Sequence, residues 1–361
     1  MYMKEQWLRQ GFIDEPAAEG LDLKKEIRRL AAEKQAVILA HYYTVGDVQE
    51  IADFVGDSLA LARKAAETDA RMMVMCGVHF MAETCKLLSP EKTVLCPDLN
   101  AGCSLADSCR AEDLKKFKDE HPGYQVISYV NTTAAVKALT DVVVTSGNAK
   151  KVVDQLPKDA KLIFGPDYNL GNYINSVTGR NMLLWQGGCH VHERFSVEAI
   201  VALKKQYPEA VVLAHLECKA PVLAVADVKG STADMLRYVK ECSTMPDGPK
   251  RFIVATEAGI LHELQRQCPD REFIPVPPEV SEGDGGRGGG GRGGEGRGDA
   301  SAYGTEGRVV SSCSCNECQY MKMNTLLKIY NTLKYEWPQV EIDPAIAQEA
   351  VKPIERMLEL S

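Results

Sequence analysis

The stretch "QAVILAHYY", residues 35–43, runs from apolar, partly β-branched residues into a polar end, His41-Tyr42-Tyr43. An apolar run this short and unbroken reads as a strand buried on both faces, the kind found at the centre of a parallel sheet. Two other stretches repeat it. "YQVISYVN" (124–131) ends on Tyr129 and Asn131, and "EAVVLAHLE" (209–217) ends on His215 and Glu217. Each is followed by a helical stretch, a second short apolar run and a hydroxyl: Ser58 in "GDSLALA", Ser146 in "VVTSGNA", Ser231–Thr232 in "KGSTADM". His41 to Ser58 is 17 residues, Tyr129 to Ser146 is 17, and His215 to Ser231 is 16. Self-similarity at a fixed period marks a repeated unit.

Each unit continues strand, helix, strand: "RMMVMCG" and "KTVLCP" in the first, "KLIFGP" and "NMLLWQ" in the second, "RFIVATE" and "REFIPVP" in the third. Short apolar strands alternating with helices predict parallel βαβ units. The expected fold is α/β, with three homologous four-stranded parallel-sheet domains around a pseudo-threefold axis and a central active site. The expected boundaries are a helical segment over 1–23, then domains at 24–110, 111–197 and 198–361. The last would carry a flexible glycine/arginine-rich insertion at 281–308 and the C-terminal helices.

A cysteine lies just beyond the fourth strand of every unit. Cys103 follows "VLCPDLNAG", Cys189 follows "LLWQGG" 86 residues later, and Cys318 follows the insertion. Ligands of parallel α/β sheets gather at the carboxyl ends of the strands. If those ends point inward, the three thiols converge. Three converging thiolates suit a [4Fe–4S] cluster with one iron left free, or a three-cysteine zinc site with an open position. Ligands this far apart in sequence assemble only after the domains dock, which is unusual for a structural zinc site. Cys315 and Cys318 also form a C-x-x-C pair, so a redox-sensitive pair or a fourth ligand stays open. Of the twelve cysteines, Cys76, Cys85, Cys96, Cys218, Cys242 and Cys268 lie in or beside apolar elements and read as ordinary thiols.

The strand ends supply acid–base candidates. Glu217, flanked by His215 and Cys218, is the best general base, Tyr43 can donate or relay a proton, and Asn131 can hold a carboxylate through its amide. The hydroxyls stand where a strand passes into a helix, where backbone N–H groups and a Ser or Thr cap bind anions. A substrate with several anionic groups is expected.

The 361 residues carry 45% hydrophobic and 25% charged residues and a net charge of −8, an ordinary globular balance that argues against general nucleic-acid binding. Arginines in "SEGDGGRGGGGRGGEGRGDASAYGTEGR" are diluted by acidic residues and joined by one aromatic, Tyr303, so an RNA-binding tail is the weaker reading of that segment. The N-terminal residues show no apolar h-region and no apolar run reaches membrane-spanning length, so no export signal and no membrane partner are expected. Twelve cysteines without an export signal argue for reduced thiols in a cytoplasmic protein.

"AHYY" with "DSL", "GVHFMAETCKLLSPEKTVLCPDLNAGCSLAD", "YVNTTAAVKA", "VVTS", "GGCHVHE", "AHLEC", "GST" and C-x-x-C-x-x-M-K-M-N together resemble the quinolinate synthase (NadA) family, over about residues 24–335. The resemblance implies a transferase-type condensation of iminoaspartate with dihydroxyacetone phosphate to quinolinate, releasing phosphate and two waters, in de novo NAD biosynthesis. It implies a [4Fe–4S] cluster on Cys103, Cys189 and Cys318 with the fourth iron open to substrate. It carries substrate contacts to His41, Ser58, Tyr129, Val130, Asn131, Ser146, His215, Leu216, Glu217 and Thr232, with Val130 and Leu216 giving backbone at most; Ser231 stands beside them as a substrate-binding candidate from the hydroxyl spacing. Tyr43 and Glu217 match the family's acid–base residues, His215 joins them as a catalytic candidate from its strand end, and the resemblance allows functional coupling to L-aspartate oxidase. Two departures stand out: Leu216 replaces the proline of the family's H-P-E-C motif, and the insertion before Cys318 is longer than the family leads one to expect.

Overall fold

The computed structural model describes residues 4–278 and 316–361. Among these residues twelve strands form three four-stranded sheets, every strand pairing parallel. The first unit has β1 (Ala36–His41), β2 (Phe54–Gly56), β3 (Met72–Cys76) and β4 (Thr93–Leu95). The second has β5 (Gln125–Tyr129), β6 (Val142–Val144), β7 (Leu162–Gly165) and β8 (Leu183–Leu184). The third has β9 (Val211–His215), β10 (Val228–Gly230), β11 (Arg251–Ala255) and β12 (Glu272–Pro275). All three sheets run in the same order, second strand, first, third, fourth. The expected fold class is the one observed.

The register explains why the strand ends matter. His41 pairs with Gly56, Tyr129 with Val144 and His215 with Gly230, so each central strand ends beside the last residue of its neighbour. Two residues further on stand Ser58, Ser146 and Thr232. Thr232, not Ser231, is therefore the third equivalent hydroxyl, and the His215–Thr232 separation becomes 17 residues like the other two.

A second repeated device went unread in the sequence. Asp53, Asp141 and Asp227 each precede the second strand, and each carboxylate accepts the backbone N–H of the central strand: Ile38 at 2.8 Å, Val126 at 2.7 Å and Val212 at 2.8 Å. Each aspartate N–H in turn donates to the carbonyl of that same residue. This pins the start of the central strand in every unit. Asp141→Ala would strip the acceptor from Val126 and should lower stability by about 1–2 kcal/mol. Denaturant midpoints of the variant and wild type check it.

The C-terminal helices pack away from the third sheet. Helix 326–335 places Ile329 and Leu333 on the first sheet, against Ile27, Ile38 and Val74. Helix 344–360 buries Ala350, Ile354 and Met357 against residues of the first two units, among them Met73, Val142 and Val143. The reason is surface supply. The third sheet is already covered on both faces by its own helices, through Val222 and Ile200 on one side and Met235 and Leu264 on the other. Parallel sheets need both faces covered, and the seam between units one and two is what remained open. The N-terminal segment contributes one short helix, Glu5–Gln10, whose Trp7 ring packs 4.9 Å from Tyr335. No helix of the described residues is long and apolar enough to cross a membrane. Cys313, Cys315 and the insertion 281–308 lie outside the described residues.

Candidate active site

The carboxyl ends of the three sheets meet at one cavity. The first unit lines it with His41, Tyr43, Ser58 and Cys103, the second with Tyr129, Asn131, Ser146 and Cys189. The third contributes His215, Glu217 and Thr232, and Cys318 completes the wall. Ser231 is committed elsewhere. It is the N-cap of helix 232–243, its hydroxyl donating to Asp234 Oδ2 at 2.7 Å within a capping box. At the two equivalent places the hydroxyl is not the cap: Asp57 caps the helix that Ser58 begins, and Ser146 sits three residues ahead of helix 149–155. Val130 and Leu216 face the core. Both backbone polar groups of Val130 are used, its N–H by Val144 O and its carbonyl by Lys137.

Similar local bonding shapes the strand ends. Thr44 and Thr132 hydroxyls donate back to the carbonyls of His41 and Tyr129, at 2.9 and 3.0 Å. The Tyr43 N–H donates to His41 Nδ1 at 3.1 Å and the Glu217 N–H to His215 Nδ1 at 3.3 Å. Both imidazoles therefore carry their proton on Nε2. Burial lowers the pKa of His41 to about 3 and of His215 to about 4, so both are neutral near pH 7.

Glu217 is the hub. It is 4% exposed, and the Tyr129 hydroxyl donates to its Oε1 at 2.5 Å. His192 Nδ1 lies 3.1 Å from its Oε2, close but without the alignment of a hydrogen bond. Burial alone would push the Glu217 carboxyl up; the adjacent His192, His215 and the Tyr129 hydroxyl hold it below the usual range, leaving a carboxylate. On its far side, His192 Nε2 meets the Thr256 hydroxyl at 2.8 Å, and that hydroxyl meets Tyr43 Oη at 2.7 Å. A polar chain thus runs Tyr129, Glu217, His192, Thr256, Tyr43. Burial and the Glu217 charge push both phenols well above the usual tyrosine value, so both keep their protons to donate.

His192, Thr256 and Glu257 were missed by sequence reasoning. His192 was visible in "GGCHVHE" but belongs to a loop with no strand-end counterpart in the other units. Thr256 and Glu257 end "RFIVATE", which signals a strand and hides the polar tail. Glu257 is fully buried and accepts the N–H groups of Cys318 at 2.9 Å and Gly259 at 2.7 Å. Lys322 Nζ sits 2.8 Å from Glu257 Oε1 and donates to Tyr43 O at 2.7 Å, tying the Cys318 turn to the first strand end.

The three cysteines share a local design. The carbonyl of each accepts the N–H four residues on, from Asp107, Glu193 and Lys322, so a helical turn starts at every one of them. Each sulfur faces backbone N–H groups two and three residues on: Leu105 and Ala106, Val191 and His192, Tyr320 and Met321. Such donors stabilise a ligating thiolate. Burial nevertheless pushes Cys103 up to about 12, Cys318 up to about 11 and Cys189 well up, so the thiolates need a cationic partner. The turns also hold one another. Ser104 Oγ accepts the His190 N–H at 3.2 Å, and the His190 and Tyr320 rings meet edge-on at 5.8 Å. This donor set fits an iron–sulfur cluster. Among the described residues, Cys189, His192 and Glu217 also bring one ligand atom each within 4.8 Å of one another, the geometry of a single-ion site.

The chain matches the family described as quinolinate synthetase A protein over residues 25–359. It is 47% identical over 347 residues to the quinolinate synthase of Nostoc sp. (strain PCC 7120 / SAG 25.82 / UTEX 2576), covering 96% of each chain. It is 46% identical over 340 residues to that of Rippkaea orientalis, covering 94% of each. It is 47% identical over 341 residues to that of Chloroherpeton thalassium, covering 94% of this chain and 95% of the relative.

Proposed function

The chain belongs to the quinolinate synthetase A protein (NadA) family, and from that premise we propose that it is an enzyme of NAD biosynthesis whose central cavity makes quinolinate. The reaction is condensation of iminoaspartate with dihydroxyacetone phosphate, with loss of phosphate and two waters, in the cytoplasm. The observation that carries this reading is the meeting of three equivalent cysteine turns and the Tyr129–Glu217–His192–Thr256–Tyr43 chain at one cavity.

The residues divide the work. Ser58, Ser146 and Thr232 hold the phosphate and carboxylates from equivalent places two residues beyond the second strand of each unit, and Asn131 binds a carboxylate through its amide. His41 offers its Nε2 proton to an anionic oxygen. The enamine form of iminoaspartate attacks the carbon activated by phosphate loss. Glu217 takes protons through isomerisation and ring closure, and His215 and Tyr129 fix its orientation. An incoming polyanion raises the basicity of Glu217, because a second negative charge in a dry cavity disfavours the carboxylate. Tyr43, protonated and relayed through Thr256, donates. Cys103, Cys189 and Cys318 would hold a [4Fe–4S] cluster, which when bound supplies a Lewis-acid iron for loss of hydroxyl as water. Aromaticity of the product favours the last step. Supply of the unstable imine fits coupling to an L-aspartate oxidase.

A second reading has its own support in the Cys189–His192–Glu217 group, which would suit one zinc ion. Metal analysis of protein purified without air separates the two. About four irons and four sulfides per chain are expected; zinc without iron or sulfide would end the cluster assignment.

A further inference from the structure

We propose that Gln49 and Lys137 are positioning residues at one and the same place in the first and second repeats, each clamping the strand-end turn that presents a working side chain to the cavity. What those turns present, Tyr43 as proton donor and Asn131 as carboxylate binder, rests on the functional reading above.

The equivalence comes from register. Gln49 Nε2 donates to Tyr42 O and Thr44 O, both at 2.8 Å. Lys137 Nζ donates to Val130 O at 2.9 Å and to Thr132 O. In each repeat the two carbonyls flank the presented residue, Tyr43 or Asn131. In each the donor stands seven residues after the first carbonyl (49 − 42 and 137 − 130). The same step from Leu216 arrives at Leu223, an apolar side chain with no donor to offer. Two turns are clamped from behind by a side chain at this position, and the third carries no donor there.

Both donors are buried, Gln49 at 4% exposure and Lys137 at 0%. Buried carbonyls that leave a sheet need partners, so the clamps answer a real demand. One of the two amide protons is shared with a further carbonyl, Gly259 O at 3.0 Å, which draws the third unit onto the Tyr43 turn. Position 259 has room only for glycine, since a Cβ there would lie 2.8 Å from Tyr43 Cα. The Tyr43 backbone is thus held by Gln49 from one side and Lys322 from another.

Lys137 differs in charge. A neutral glutamine makes the same two bonds in the first repeat, and burying a cation is the more expensive choice. Its counter-charge is Glu83, whose carboxylate accepts the Ala134 N–H at the start of the same short helix and acts on the ammonium through space. The ammonium sits 5.4 Å from the Phe80 ring centroid, and Phe80 lines the cavity. A fixed cation behind the Asn131 turn favours an anion in front of it. Burial lowers the Lys137 pKa to about 8, which still leaves it mostly charged near neutrality.

The test uses anaerobically reconstituted holoenzyme carrying Gln49→Leu, Lys137→Gln or Lys137→Met, with iron content and thermal midpoint measured alongside. Gln49→Leu should lower kcat about 10²-fold with KM within about threefold of wild type, because a displaced Tyr43 harms proton transfer more than binding. Lys137→Met should raise KM for the dicarboxylate substrate about tenfold, and Lys137→Gln, which keeps the clamp and loses the charge, should fall between. The same ranking should appear in the affinity for maleate, a plain dicarboxylate read by calorimetry without turnover. Wild-type kcat and KM in all folded variants would overturn the proposal, as would kcat and KM falling together in both repeats. If the methionine variant fails to fold, a glutamine variant with wild-type maleate affinity overturns the role of the charge. A wild type that binds maleate in this ranking yet makes no quinolinate would sink the functional reading and leave the clamps standing.

Discussion

Replacing Cys189 by serine and reconstituting without air is expected to give a folded, colourless protein that forms no quinolinate. The serine hydroxyl stays protonated at neutral pH, so it presents no anionic ligand where Val191 and His192 aim their N–H groups. Two remaining thiols cannot hold a cluster that needs all three turns. Cys103→Ser and Cys318→Ser should behave alike, because the three sulfurs occupy equivalent turns around one cavity. Cys242→Ser is the control: that thiol is buried in the third unit's own core, away from the cavity, and its loss should leave the brown colour in place. Colour, iron content and turnover are read together. A fully occupied and working centre after loss of any one of the three would overturn the assignment.

Glu217→Gln should lower kcat by about 10²- to 10⁴-fold, the range a positioned general base contributes, with the cluster spectrum unchanged. The amide oxygen can still accept from the Tyr129 hydroxyl, so the pocket keeps its shape. What disappears is the charge that accepts a proton and that His192 Nδ1 faces at 3.1 Å. Loss of iron together with activity would instead point to the single-ion site that Glu217 shares with Cys189 and His192. Turnover near wild type with the cluster intact would remove Glu217 from the base role. Tyr43→Phe should cost at least the about 10²-fold expected of Gln49→Leu, because it removes the hydroxyl that Gln49 only positions, while Thr256 and His192 remain linked without it.

How far each feature could be read from the chain depended on whether it was periodic. The apolar runs ending at His41, Tyr129 and His215 recur at a fixed spacing, so the three sheets and their inward ends were legible. Asp53, Asp141 and Asp227 recur just as regularly, but a lone acidic residue before a strand looks like any loop residue until its bond to the central strand is seen. Ser231 and Thr232 were adjacent hydroxyls that spacing alone could not separate. A one-residue difference decides which of them caps a helix and which faces the cavity.

The amino-acid sequence on its own determined the repeated α/β unit, the three cysteines that end each unit and the polar strand ends, because each is a local pattern written three times. Tertiary structure alone decided that His192, Thr256, Glu257 and Lys322 join the site, and that the last two helices close the first two units instead of the third. The physical reason is that these residues act through contacts between units. Hydrogen-bond partners 64 or 279 residues apart, as in His192–Thr256 and Lys322–Tyr43, leave no periodic trace along the chain and exist only once the three sheets have docked.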